Sequence, residues 1–218
     1  SRHLGRGGPG AVMGSKRVKA IVIDDTGVKP VEAKKAETLR NLIKEYATFS
    51  EENKAAISYR TIGTLGGLAW VSDRNHSLPV RNFTSGQFEA ADKIGSKDLV
   101  TMLTSQGSKW GQACMPGCLV RCSNIVTDKE GKYITSGLEY ETGAMLGANL
   151  GIDDIYAIAA MDRLNDDYGL DNIEIGVTLG LAVDAAIMKF GDSTKAMALI
   201  NEIAQGTILG KILGQGAA

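Results

Sequence analysis

The sequence has little proline, histidine or cysteine and no long apolar run. Four prolines in 218 residues leave room for long helices. No apolar stretch approaches the ~20 residues that a membrane span needs. The 25 acidic and 24 basic residues nearly cancel, which gives no reason to expect binding to nucleic acid or to an anionic membrane. The N-terminus also lacks the apolar stretch of a signal peptide.

All three cysteines lie close together, at Cys114, Cys118 and Cys122. They cannot all pair as disulfides, and they suit a reducing compartment, so we expect a cytoplasmic protein. A zinc site usually has two separated ligand pairs, but the chain offers only His3 and His76 as further ligands of that kind. An iron–sulfur cluster takes four thiolates, often three close together and a distant fourth. The third alternative is three free thiols that act as small apolar side chains.

The first seventeen residues are rich in glycine and carry several basic side chains. This composition fits a flexible loop, or a cradle in which backbone N–H groups and arginine bind a phosphate. Residues 18–24 form an apolar run that predicts a short strand.

The rest of the chain predicts mainly helices. Leu39, Leu42, Ile43 and Tyr46 have helical spacing, with a break expected near Ser50. Residues 72–88 predict a loop, 92–106 a helix, and Glu130–Gly131 a hairpin turn. Asp153 is the expected cap of a helix that ends at Gly169. Residues 172–191 alternate as in a strand, but their length and the Gly176/Gly180 pair favour a buried helix, and two further helices follow.

Two carboxylate pairs are candidates for chemistry. Glu139 and Glu141 flank Tyr140; in an extended stretch they would share a face, and burial would raise their pKa for acid–base work. The alternative is a solvated acidic patch. Asp166 and Asp171 flank a Gly-Leu step, where Asp171 fits a helix cap. The functional alternative is that both carboxylates accept hydrogen bonds from a heterocycle.

Several segments, in order, resemble the tungsten-containing aldehyde:ferredoxin oxidoreductase family. They are GRGGPGAVMGSKRVKAI, LPVRNF, ACMPGCLVRC, GLEYET, DDYGLD and GTILGKILGQGA. DDYGLD matches the D-x-x-G-L-D pattern of the family's pterin-binding segment. The cysteine run has three residues between its first two cysteines where the family usually has two.

The resemblance implies a larger enzyme that oxidises aldehydes to carboxylic acids. Its cofactors would be tungsten or molybdenum held by two pterins, with Mg²⁺ at the pterin phosphates, and a [4Fe-4S] cluster that passes electrons to ferredoxin or a similar acceptor. We expect a small aldehyde substrate, no nucleic acid or membrane partner, and a homodimer as in related enzymes. Residues 1–28 would be the tail of a β-rich, cofactor-binding first domain, and 29–218 an incomplete, mainly α-helical middle domain.

The resemblance also assigns roles to individual residues. Cys114, Cys118 and Cys122 would bind the cluster, with a fourth cysteine from a third domain. Glu141, or else Glu139, would transfer protons, and Tyr140 would line the pocket. The pterin would contact Asp166, Gly169, Leu170 and Asp171, and its phosphates would lie near Gly5, Arg6, Gly7 and Gly8. The rival hypothesis is a non-catalytic helical module that carries an iron–sulfur or zinc site for electron transfer or assembly.

Overall fold

A computed structural model describes residues 7–29 and 31–217 of the chain. Most regular structure in these residues is α-helical, as the sequence predicts. The helices have these bounds: α1 Pro9–Ser15, α2 Ala36–Glu52, α3 Lys54–Ile62, α4 Leu68–Trp70, α5 Ala91–Ile94, α6 Lys97–Ser105, α7 Tyr140–Thr142, α8 Ile155–Tyr168, α9 Asn172–Asp184, α10 Ser193–Gln205 and α11 Ile208–Leu213. Among the described residues, no helix has the length and apolar character needed to cross a bilayer.

A three-stranded antiparallel sheet lies between the helical parts. Its strands are β1 Lys109–Gln112, β2 Ser123–Thr127 and β3 Tyr133–Ser136, in the order β1-β2-β3. The β2–β3 hairpin turns at the predicted place, where Gly131 has a φ of 79°. The Asp128 side chain accepts hydrogen bonds from the backbone N–H groups of Glu130 and Lys132, at 3.0 and 2.8 Å. A ten-residue loop between β1 and β2 carries all three cysteines.

The core is a cluster of buried apolar side chains to which α8 and α9 contribute, together with β2 and the loops at 78–88 and 138. Ile158, Met161 and Leu179 are completely buried in it. The Gly176/Gly180 pair has the expected role, because a Cβ at Gly176 would lie 2.7 Å from the Met145 carbonyl oxygen. The alternating residues 173–183 therefore form a helix in close contact with the segment that follows α7. Length and small residues outweigh strand-like alternation here.

The segment LPVRNF makes an unusual left-handed turn. Arg81, Asn82 and Phe83 have φ of 44°, 52° and 62°, a conformation that costs a non-glycine residue roughly 1–2 kcal/mol. Two of their N–H groups are used: Arg81 N donates to Ala148 O at 3.1 Å, and Asn82 N donates to Asn149 O at 3.0 Å. The turn therefore fastens the loop to the irregular helical segment at 143–150.

Some local predictions are wrong. The single helix predicted over 92–106 is two helices, α5 and α6, because the chain breaks at Gly95 and Ser96 caps α6. Residues 18–24 form no strand, and Ile21, Val22 and Ile23 are 75%, 90% and 85% exposed. A strand needs a neighbour for its backbone groups, and the described residues provide none there. The cap of α8 is Asp154, which accepts a hydrogen bond from Tyr156 N at 2.9 Å, while Asp153 forms an ion pair with Lys93.

Candidate functional site

The cysteine loop holds its thiols near the surface. All three cysteines are free; Cys114 is exposed, and Cys118 and Cys122 are partly buried. Cys118 Sγ accepts a hydrogen bond from the backbone N–H of Arg121 at 3.5 Å. This bond is the main reason why the pKa of the Cys118 thiol is lowered from its usual value, with a smaller contribution from the Cys114 side chain. The loop therefore favours thiolate at Cys118.

The C-terminal end of helix α3 anchors the cysteine loop. The Arg60 guanidinium donates to Leu119 O at 3.2 Å and to Ser50 O at 2.8 Å, which joins the loop to the α2–α3 corner. Gly63, with a φ of 63°, ends α3 where a Cβ would lie 3.0 Å from Cys122 O. A glycine is required here because the two backbones approach so closely.

The three thiols share one loop but are not arranged as a ligand set for a single metal ion. Within residues 7–29 and 31–217, no three side chains of the Cys, His, Asp or Glu types are placed to hold one metal ion. Cys122 differs from Cys118 in its surroundings: burial, and then the charge of Glu139, raise the pKa of the Cys122 thiol. The predicted cluster ligands thus share one loop, and Glu139 lies close to the last of them.

The two glutamates of GLEYET have different surroundings. Glu139 is partly buried, and its Oε2 accepts a hydrogen bond from Thr64 Oγ1 at 2.6 Å; Thr64 Oγ1 accepts in turn from Tyr140 N at 2.9 Å. Glu141 is exposed in the short helix α7, and the chain is extended only as far as Glu139. The expectation of one extended stretch with both carboxylates on a shared, buried face is therefore wrong, because helix α7 begins at Tyr140. Tyr140 itself packs against the core.

A buried asparagine connects the glutamate segment to the cysteine loop. Asn124, 1% exposed, follows Cys122 by two residues on β2. Its amide donates to Leu138 O at 2.8 Å, and its oxygen accepts from Leu138 N at 3.0 Å. The residue before Glu139 is therefore fixed relative to the strand that leaves the cysteine loop.

The DDYGLD segment forms the turn between α8 and α9. Gly169 has a φ of 73° and ends α8, while Leu170 N donates back to Asn165 O at 2.8 Å. Asp171 caps α9 by accepting from Glu174 N at 2.8 Å, as the capping hypothesis predicts. Asp166 and Asp171 are both partly buried at this turn. Capping does not test the second hypothesis, since a carboxylate has further acceptor positions.

Of the predicted phosphate-binding residues, Gly5 and Arg6 lie outside the described residues. Gly7 and Gly8 have φ of 86° and 75° and precede α1, and apart from their chain neighbours no atom of the described residues lies within 4 Å of where a Cβ would stand. They are exposed. A phosphate cradle at this segment therefore stays a prediction.

Sequence reasoning missed a buried carboxylate on α8. Asp162 is 3% exposed and accepts hydrogen bonds from Thr135 Oγ1 at 2.6 Å, Thr142 Oγ1 at 3.2 Å and Asn172 Nδ2 at 2.6 Å. Burial raises the pKa of Asp162 from 3.8 to about 6, against the opposing effect of these bonds. A signal was present in the sequence: Ile155, Ile158, Asp162 and Asn165 share one helical face, and that face is apolar at its start.

The donor groups of the chain fit part of a cluster site and part of a pterin site. Three thiols on one loop, with a backbone N–H already donated to sulfur, match three of the four thiolates that a [4Fe-4S] cluster takes. At the α8–α9 turn, Asp166 and Asp171 provide carboxylate acceptors beside Asn165, whose Oδ1 is buried without a partner among the described residues. Such acceptors suit the N–H donors of a heterocycle.

The fold and these residues define the class of protein: a mainly helical domain with a loop that carries three thiols and with carboxylates at nearby turns. Comparison with known proteins identifies the family within that class. The family model for "Aldehyde ferredoxin oxidoreductase, domains 2 & 3" matches residues 39–218. The chain belongs to the aldehyde ferredoxin oxidoreductase family.

Relatives with assigned names include three archaeal proteins. The tungsten-containing aldehyde ferredoxin oxidoreductase of Pyrococcus abyssi is 36% identical over 84% of this chain and 29% of its own length. The enzyme of the same name from Thermococcus kodakarensis is 30% identical over 99% of the chain and 37% of its own length. The aliphatic sulfonate oxidoreductase, WOR-like subunit, of Pyrococcus furiosus is 29% identical over 97% of the chain and 35% of its own length. The chain thus spans about a third of the length of these relatives.

Proposed function

We propose that this chain is part of an enzyme that oxidises aldehydes to carboxylic acids and passes the electrons to ferredoxin or a similar acceptor. Tungsten or molybdenum bound by two pterins would supply the oxidation chemistry, and a [4Fe-4S] cluster would supply the path for electrons. The observation that carries the proposal is that hydrogen bonds link the parts that hold these groups: Asn124 joins the strand after the cysteine loop to the glutamate segment, and Asp162 joins Thr142 to Asn172 beside the DDYGLD turn. Family membership supports the reaction class.

Each group of residues has a definite task in this proposal. Cys114, Cys118 and Cys122 hold three iron positions, and a cysteine from another part of the parent protein holds the fourth. The Arg121 N–H bond to Cys118 Sγ stabilises negative charge on sulfur, which tunes a cluster's potential.

The carboxylates divide between proton transfer and cofactor binding. Glu141 is exposed on α7 and so is accessible from outside this domain, where it would accept or donate a proton beside the reacting carbon. Asp166 and Asp171, with Gly169 and Leu170, would bind a pterin at the turn. Gly5, Arg6, Gly7 and Gly8 would bind its phosphates with Mg²⁺. Residues 1–28 would accordingly belong to a cofactor-binding first domain and 29–218 to the middle domain.

Metal analysis of the full-length parent protein, purified without oxygen, tests the proposal. We expect tungsten or molybdenum together with about four irons per chain. Cys118→Ser should lower the iron content. The iron content of Cys122→Ser applies the same test to the more buried ligand. A matched substitution outside the loop, Ser105→Ala at an exposed position of helix α6, should leave iron unchanged. A protein that contains zinc alone would sink the proposal and favour the non-catalytic module.

A further inference from the structure

Asp162 forms hydrogen bonds to three elements whose relative positions the proposed function requires to be fixed. Its Oδ2 accepts from Thr135 on β3, and its Oδ1 accepts from Thr142 on α7 and Asn172 on α9. Asn172 Nδ2 also donates to Thr142 Oγ1 at 3.1 Å, so Thr142, Asn172 and Asp162 Oδ1 bond to one another. We call this closed set of three residues the Asp162 clamp.

Each of the two residues that donate to Asp162 Oδ1 directly follows, in the sequence, a residue with a proposed role. Thr142 directly follows Glu141, the candidate for proton transfer, and is 4% exposed. Asn172 directly follows Asp171, a candidate pterin contact, and is the first residue of α9. Asn165 Nδ2 donates to Asn172 Oδ1 at 2.7 Å and so fixes the other end of the same amide.

Burial of the Asp162 carboxylate costs free energy, and this cost indicates that the clamp has a role that depends on its geometry. A carboxylate buried without an ion pair is unfavourable unless its hydrogen bonds are well made. Burial raises the pKa of Asp162, and the nearby charge of Asp166 raises it further. An apolar side chain could fill the same space in α8. The bonds to Thr142 and Asn172, however, fix two backbone segments at once, which an apolar side chain cannot do.

We propose that Asp162 is a positioning residue: through Thr142 and Asn172 it holds the glutamate that transfers protons and the turn that binds the pterin in a fixed mutual arrangement. The assignment of those two tasks rests on the proposed function. The mechanical claim, that one carboxylate couples the two segments, rests on the hydrogen bonds alone. Misplacement of a reacting group by about 1 Å can cost 10²-fold in rate, so such coupling would control turnover.

Thr135 provides a matched control for Thr142. Both threonines are buried, at 0% and 4% exposure, and each donates one hydroxyl to Asp162. Thr135→Val and Thr142→Val therefore remove the same group from the same carboxylate. Thr135 lies on β3 and is not adjacent in sequence to any residue with a proposed task, whereas Thr142 directly follows Glu141.

In the full-length, anaerobically purified protein, we expect Thr142→Val to lower kcat for aldehyde oxidation at least tenfold, with KM and metal content within twofold of wild type. Thr142→Ser, which keeps the hydroxyl, should restore kcat, and Thr135→Val should stay within twofold of wild type. Equal losses of kcat in the two valine variants would show a merely structural role and overturn the proposal.

Hydrogen exchange of the same proteins tests, without any measurement of enzymatic activity, whether Asp162 couples the two segments. In Thr142→Val, backbone amides of 140–147 and of 170–176 should exchange faster together, while Thr135→Val should leave 170–176 unchanged. Unchanged exchange at 170–176 in Thr142→Val would overturn the clamp. A wild-type protein that contains no tungsten or molybdenum and oxidises no aldehyde would instead refute the proposed function, and the exchange result would still judge the clamp.

Discussion

At the scale of single residues, Asp162 gives a prediction about pH. Its pKa rises from 3.8 in the unfolded chain to about 6 in the folded one, so the folded protein holds its proton more tightly. This contribution to stability is complete below about pH 3.8 and is lost as pH rises through about 6. The loss lowers the free energy of unfolding by about 3 kcal/mol.

The asparagine variant isolates that effect, because it cannot ionise. The unfolding midpoint of Asp162→Asn, measured relative to wild type, should therefore rise between pH 4 and pH 7. Asp167→Asn, on the same helix but exposed and paired with Arg163, should show no such trend. Parallel profiles for Asp162→Asn and wild type would mean that the carboxyl does not titrate in this range.

Glu141 and Glu139 are separated by a paired substitution. We expect Glu141→Gln to keep metal and pterin content but to lower kcat by about 10²–10⁴, the usual contribution of a general acid or base. Glu139→Gln changes the same chemistry two residues away, where the carboxylate already accepts a hydrogen bond from Thr64. Loss of kcat in Glu139→Gln alone would transfer the proton-transfer role to Glu139.

At the scale of elements, the start of α8 distinguishes two adjacent aspartates. Asp154 accepts from the N–H groups of Tyr156 and Ala157, and its replacement by alanine should cost about 1 kcal/mol in the free energy of unfolding. Asp153→Ala removes only an exposed ion pair with Lys93 and should change stability little. Equal thermal unfolding midpoints for the two variants would contradict the assignment of the cap.

The elements that local sequence determines were predictable. The break near Ser50 falls at Asn53, whose side chain caps α3, and the hairpin turn and the buried α9 are where the sequence places them. The strand predicted at 18–24 failed because it has no partner among the described residues. The left-handed turn at Arg81–Phe83 lies within the predicted loop, but its conformation depends on acceptors at 148–149 that the local sequence does not indicate.

The candidate site divides in the same way. The cysteines and the DDYGLD turn were found from spacing and resemblance; the structure has the cysteines on one loop and Asp166 and Asp171 partly buried at the turn. Asp162 was missed because its importance comes from Thr135, Thr142 and Asn172, which are far apart in sequence. Only the helical phase of α8 indicated that this aspartate faces the core.

At the scale of the whole molecule, the described chain before residue 50 differs from the packed remainder, since residues 31–49 are also exposed except for the partly buried Ala47. Residues 7–29 are exposed except for the partly buried Met13, and their hydrogen bonds to other described residues are local. Trypsin acting on the chain of residues 1–218 should therefore cut first in this segment, at Lys16, Arg17 or Lys19. Arg81 is an internal control, since its loop is irregular but its backbone N–H is bonded to Ala148 O.

The same cleavage sites test how the segment is used in the parent protein. If residues 1–28 belong to a cofactor-binding first domain, the apolar run at Ile21–Ile23 should be paired and covered there. Trypsin should then cut at Lys16–Lys19 at least tenfold more slowly in the full-length protein than in the chain of residues 1–218, while cleavage after Arg81 stays slow in both. Mass spectrometry of the first products gives the two rates. Equal rates in the two proteins would place the segment outside any folded domain and would refute the proposed boundary at residue 28.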